Sequence, residues 1–143
     1  MKKYIALSLI FLLVLSVFAG CKKTYDVDAT INKLKDKGFI VSENYDTSED
    51  LTLVNTMLNS TIQEHNGNFT VSLTRMVTLN LEEDLSKNCQ IFVFENARQA
   101  EKTTEFYTAN RTEDAFLYVA RNGNVMIVTN SDIAKQTINL KFS

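Results

Sequence analysis

The side chains with the types and spacing for chemistry fall into four groups in this chain of 143 residues. They are two thiols, Cys21 and Cys89, the single imidazole of His65, the acidic run Glu82-Glu83-Asp84, and Arg75 inside an apolar alternation. Cys21 stands directly after Ala19-Gly20. A thiol is a strong nucleophile once ionised, and small residues before it leave the backbone open to a processing enzyme, so position 21 suits covalent modification of the chain. Cys89 stands beside Ile91-Phe92-Val93-Phe94 and reads as a small buried hydrophobe. A redox role would need an electropositive, accessible setting, for which Lys87 is the neighbouring cation. A disulfide between the two would consume the thiol at position 21.

The remaining groups argue against catalysis. Nucleophilic catalysis needs a nucleophile, a base and an orienting group. His65 falls at a predicted helix C-terminus, where the dipole favours an imidazolium, and no Gly-x-Ser-x-Gly elbow occurs in the sequence. Glu82-Glu83-Asp84 lacks the alternating ligands and glycine of a calcium loop. With one histidine and no Cys-x-x-Cys there is no zinc pattern, and four glycines do not make a phosphate-cradling loop. No catalytic, cofactor-binding or metal residue is therefore assigned, and no cofactor is expected. An enzyme would have to gather Arg75, Glu82, Glu83 or His65 in one concave pocket. A binding module would instead show an exposed apolar patch or an unprotected strand edge.

The start of the chain carries an address. Met1-Lys2-Lys3 is basic, and Tyr4 to Phe18 is apolar apart from Ser8 and Ser16. That core is shorter than the roughly 20 residues of a permanent membrane span; with the small residues after it, it has the form of a secretory signal. Val17-Phe18-Ala19-Gly20-Cys21 resembles the lipobox of bacterial lipoproteins, with Phe18 where that family usually has leucine. The resemblance implies cleavage between Gly20 and Cys21, a diacylglyceryl thioether on Cys21, and a palmitate-type lipid anchor in the cell membrane on its extracytoplasmic side. Two or three acyl chains hold a domain firmly where one does not, and Lys22 and Lys23 can meet anionic headgroups. Removing residues 1–20 leaves 13 basic against 17 acidic residues, a net −4, which disfavours nucleic acid as a partner.

Fourteen asparagines, and 11 lysines to 4 arginines, point to an AT-rich genome. Residues 27–143 look like the small lipoproteins of unknown function found in low-GC Gram-positive bacteria. That likeness implies a non-catalytic binding or interaction module of the cell envelope, its partners being the membrane through the anchor and an envelope protein. The alternatives are a small envelope enzyme and a membrane-tethered regulator of a sensor.

The elements that position these residues follow from periodicity. Residues 1–20 are the signal, 21–26 a lipidated tether, and 27–143 a single domain. Asp28 is expected to cap a helix with Val27, Ile31 and Leu34 on one face, closed by Gly38. Phe39-Ile40-Val41 is a first strand. Ser48 caps a second helix whose stripe of Leu51, Val54, Leu58 and Ile62 is widened by Leu53 and Met57; Asn66-Gly67-Asn68 ends it. Phe69 to Leu81 alternates as one long strand, with Phe69, Val71, Leu73, Val77, Leu79 and Leu81 on one face and Arg75 in register, its guanidinium reaching the sheet margin or a carboxylate. Glu82 to Asn88 is a polar connection, and the run after it is apolar on both faces, as in a central strand. Asn96 and Gln99 form a capping-box-like start to a third helix that stops near Asn110. Ala115–Ala120 and Val125–Thr129 flank the turn pair Asn122-Gly123, with Tyr107 and Tyr118 expected to show their hydroxyls. Ser131-Asp132 opens a short closing helix. The fold class is α+β: a mostly antiparallel sheet with helices on one face and a ferredoxin-like split βαβ core over residues 39–120.

Overall fold

The computed structural model describes residues 24–112 and 117–143; Gly20 and Cys21, and Ala115 and Phe116 of the expected fourth strand, lie outside the described residues. Helix α1 (Val27–Lys35) is capped by Asp26, whose carboxylate accepts the Ala29 N–H at 2.9 Å. Asp28 is thus not the cap; it sits in the first turn, where its carboxylate is available to another partner. Ordered contacts begin before position 27. The Thr30 hydroxyl donates to Tyr25 at 2.7 Å, and Tyr25 packs against buried apolar residues.

Helix α2 (Ser48–Glu64) is capped by Thr47 rather than Ser48, so that Glu49 and Asp50 both fall in the positive first turn. Its end is a two-bond closure: Gly67 N–H donates to the Ile62 carbonyl at 2.7 Å and Asn66 N–H to Gln63 at 3.0 Å, with Asn66 at φ 62°. Helix α3 (Ala97–Asn110) has the expected cap, Asn96 accepting the Gln99 N–H at 3.0 Å. Helix α4 (Asp132–Thr137) starts at Ser131 as expected.

Among the described residues five strands, β1 (Phe39–Tyr45), β2 (Leu73–Leu81), β3 (Asp84–Phe94), β4 (Tyr118–Asn122) and β5 (Val125–Thr129), form one sheet. Their order is β1-β2-β3-β5-β4, and each neighbouring pair is antiparallel. The fold is α+β with an antiparallel sheet, and β3 is its central strand. The split βαβ is not formed: that motif would run β1 parallel to β2 with β3 inserted between them, whereas β1 lies directly beside β2 and antiparallel to it. The cause is the stretch after α2. Val71 is bonded to Asn59 and Leu73 to Asn55, so this stretch runs back along the helix and delivers β2 beside the end of β1. The hairpin β2–β3 is also tighter than expected. Leu81 faces Asp84 across a turn of Glu82-Glu83, and Asp84 to Asn88 belong to the strand instead of a loop. In the hairpin β4–β5, Asn122 faces Val125, so the turn pair is Gly123-Asn124; only Gly123, at φ 57°, takes the left-handed conformation.

The expectation of helices on one face is corrected too: they cover both. α1 and α4 pack with Val77, Leu79, Cys89, Ile91, Val125 and Ile127, while α2 and α3 pack with Met76, Phe92, Phe94, Met126 and Val128. A bulge explains why the sequence suggested a single apolar face. Leu73 opposes Phe94 and Arg75 opposes Val93, so Thr74 is an extra residue in β2. It turns Leu73 to the α2/α3 side and Val77, Leu79 and Leu81 to the α1/α4 side, each into a core. Arg75 is therefore not in register with Leu73. Among the described residues no helix is long and apolar enough to cross a membrane.

Candidate functional site

The residues with chemical potential are not brought together. Arg75 Nη1 lies 2.9 Å from Asp28 Oδ1, and its Nε donates to Asn44 Oδ1 at 3.1 Å, so the guanidinium does find a carboxylate at the sheet margin. Glu82 and Glu83 are exposed in the turn at the far end of β2, about 20 Å along the strand from Arg75. Asp84 accepts from the Ser86 hydroxyl at 2.6 Å and backbone N–H at 3.1 Å, which hold its carboxyl below the usual range. His65 caps the C-terminal end of α2, donating from Nδ1 to the Thr61 carbonyl at 3.0 Å with its ring edge-on to Phe106. Among the described residues no three His, Cys, Asp or Glu side chains group as metal ligands do.

Cys89 is fully buried in the α1/α4 core, and burial pushes its thiol up to about 12. It stays protonated at neutral pH, which makes it a packing residue rather than a nucleophile. Tyr118 donates its hydroxyl to Asp132 Oδ1 at 2.8 Å, under the Lys135 ammonium 4.0 Å from the ring centre. Tyr107 is half-buried; burial raises its pKa, and its side chain lines a groove that the sequence did not announce.

That groove, of about 340 Å³, lies between α2 and the sheet. Its floor consists of two cross-strand rows: Tyr45, Met76 and Phe92 face one another in register, and beside them Glu43, Thr78 and Gln90 do the same. A second bulge builds the floor. Val41 opposes Leu79 and Glu43 opposes Thr78, leaving Ser42 as the extra residue. The Ser42 hydroxyl donates to Asn80 Oδ1 at 2.6 Å and lies 3.1 Å from the Thr78 carbonyl, which fixes the irregularity. Without it Glu43 and Tyr45 would follow Phe39 and Val41 to the α1/α4 side. With it, Thr78 Oγ1 donates to Glu43 Oε2 at 3.1 Å, and the Glu43 carboxylate raises the pKa of the Tyr45 hydroxyl.

The wall is α2. Leu58 is buried, whereas Leu53 and Met57, expected to widen the core stripe, are 64% and 62% exposed at the lip of the groove. An apolar arc wider than the core needs was the signal for them in the sequence. Glu43 and Tyr45 had none, because a bulge is not legible from alternation. Side-chain amides tie α2 and α3 to the stretch before β2. Asn59 takes both backbone groups of Val71 at 2.8 and 2.9 Å, Asn55 takes the Leu73 N–H at 2.8 Å, and Gln99 of α3 takes the Ser72 N–H at 3.0 Å. Residues 71–73 thus lie between α2 and α3 with their N–H groups satisfied. Comparison of the chain with family models, curated proteins and solved structures finds no match.

Proposed function

We propose that the chain is an extracytoplasmic lipoprotein, anchored in the cell membrane through Cys21, whose α+β domain is a non-catalytic binding module of the envelope. The anchor is supported by the lipobox-like Val17-Phe18-Ala19-Gly20-Cys21. The binding role rests on one observation: an apolar groove opens to solvent with Leu53 and Met57 exposed at its lip. Ligand sites are commonly concave and largely apolar with a few polar groups, and this groove has that composition. The candidate catalytic side chains, by contrast, stand apart, Arg75 engaged on the other side of the sheet and Glu82 and Glu83 in a solvated turn.

Two measurements test the two halves. Cys21→Ser is expected to abolish incorporation of labelled fatty acid and to leave the leader uncut; normal maturation and membrane retention of that variant would refute the anchor. For the groove, the full chain in phosphatidylcholine nanodiscs is titrated calorimetrically with 4-phenylbutanol, with empty nanodiscs subtracted. Saturable binding that is lost in Thr61→Trp, which fills the groove from an exposed position, is the expected result. Identical heats with and without protein would remove the binding role.

A further inference from the structure

The groove is chemically lopsided. At one end Met57, Leu58, Phe92 and Tyr107 present carbon. At the other, on β1, Glu43 is the charged group among the described lining residues, two positions along the strand from Tyr45; Gln90 lines the groove from β3, across Thr78. Glu43 reaches this position only because Ser42 is bulged, and bulges that re-aim a side chain occur disproportionately beside functional sites. Its carboxylate has one oxygen fixed by the Thr78 hydroxyl, so it is oriented before anything binds. Carboxylate and aromatic ring together form the pairing that attracts an organic cation, by charge and by the ring quadrupole. Glu49 and Asp50, in the first turn of α2 whose later turns form the wall, add charge of the same sign.

We propose that the groove recognises a small organic ammonium ligand, with its amine on Glu43 and Tyr45 and its apolar body between Met57, Phe92 and Tyr107. This deepens the binding role and rests on it. The volume of about 340 Å³ lies at the small end of ligand pockets and suits a compact arylalkylamine better than an acyl chain or a folded partner. The ammonium replaces part of its hydration with a carboxylate and an aromatic ring, while the chain beyond it leaves water.

The test compares three probes of one shape in the same nanodisc titration: 4-phenylbutylamine, 4-phenylbutanol and 4-phenylbutyrate. The amine is expected to bind about fivefold more tightly than the alcohol, the scale of a partly exposed ion pair, and the carboxylate more weakly than either. Glu43→Gln is expected to abolish the preference for the amine, so that amine and alcohol bind alike. Glu43→Asp, which retains the charge but withdraws it, is expected to fall between. Equal binding of all three probes to the wild-type chain overturns the ammonium assignment and leaves the groove as a neutral apolar site. So does an amine preference that survives Glu43→Gln. Absence of binding by all three removes the groove itself. The comparison of probes on the wild-type chain needs no variant, so a folding defect in either substitution does not blunt the test.

Discussion

The two faces of the sheet are finished differently. On the α1/α4 side, two short helices lie directly on the strands, and Leu34, Leu79, Cys89, Ile91, Ile127 and Ala134 are fully buried. On the α2/α3 side the helices are longer, yet their layer stays open along the wall of α2. The α2/α3 side also holds the extended stretch before β2. It occupies the space between α2 and α3, with its backbone bonded to Asn55, Asn59 and Gln99. Two helices in contact would sit about 8–10 Å apart and close over the sheet. Here a strand's width of chain lies between them, and the groove opens along α2. The closed face supplies stability, and the open face carries the groove proposed to bind.

The largest effects should separate the two faces by cavity formation. Leu79→Ala removes a side chain with no exposure from the sealed core, leaves an enclosed void, and is expected to cost about 3–4 kcal/mol. Leu58→Ala removes the same atoms beside the groove. The space created joins one that water already reaches, so the cost is expected near 2 kcal/mol, the low end for such changes. Urea unfolding midpoints measured with both variants check this. Equal losses, or the larger loss at Leu58, would mean that the groove is collapsed in solution and that the faces do not differ in the way described.

The next effect concerns the amides. Asn59→Ala leaves the Val71 N–H and carbonyl without their partners, a loss of about 1–3 kcal/mol for groups left unpaired in a partly buried place. Hydrogen exchange sharpens the point. The Val71 amide should lose protection selectively, while amides of the α1/α4 face, such as Ile127, keep theirs. Uniform loss across both faces would show that the stretch is part of one cooperative unit, not a local clamp.

These particulars also show what the letters encode and what they leave open. Helix limits were legible because caps and stops are local: Asn96 and Ser131 start the helices they were expected to start, and Asn66 and Gly38 take the left-handed stops. Where the start moved, from Asp28 to Asp26 and from Ser48 to Thr47, a competing cap residue lay within two positions. The central place of β3 was legible from its two apolar faces. Strand order was not, since it depends on Asn55 and Asn59 turning the chain back along α2, and asparagine within a helix carries no mark of what it will bond. The bulges at Ser42 and Thr74 were equally silent. Alternation from Phe69 to Leu81 continues unbroken through the extra residue because both faces have a core to receive leucine and valine. The same property hid the groove: its carboxylate at Glu43 is aimed by a bulge, and its apolar lip at Leu53 and Met57 resembles a broad core stripe.

The smallest effect lies on the sealed side and tests whether polar contacts there matter as packing does. The Arg75–Asp28 pair is short, at 2.9 Å, yet the Asp28 side chain is 75% exposed and Arg75 26%. An ion pair so placed gains little over hydration, and salt screens it. Asp28→Asn is expected to change stability by about 0–1 kcal/mol, and the change should shrink further at high salt. Arg75 retains its Asn44 contact at 3.1 Å, so the guanidinium should stay at the sheet margin. A double-mutant cycle with Arg75→Met isolates the pair. A coupling well above the exposed-pair range would mean that α1 is held to the sheet by charge, and Leu34 and Ile31 would then have to contribute less than their burial implies. A coupling near zero leaves α1 seated by its apolar face alone, as the closed packing of that side requires.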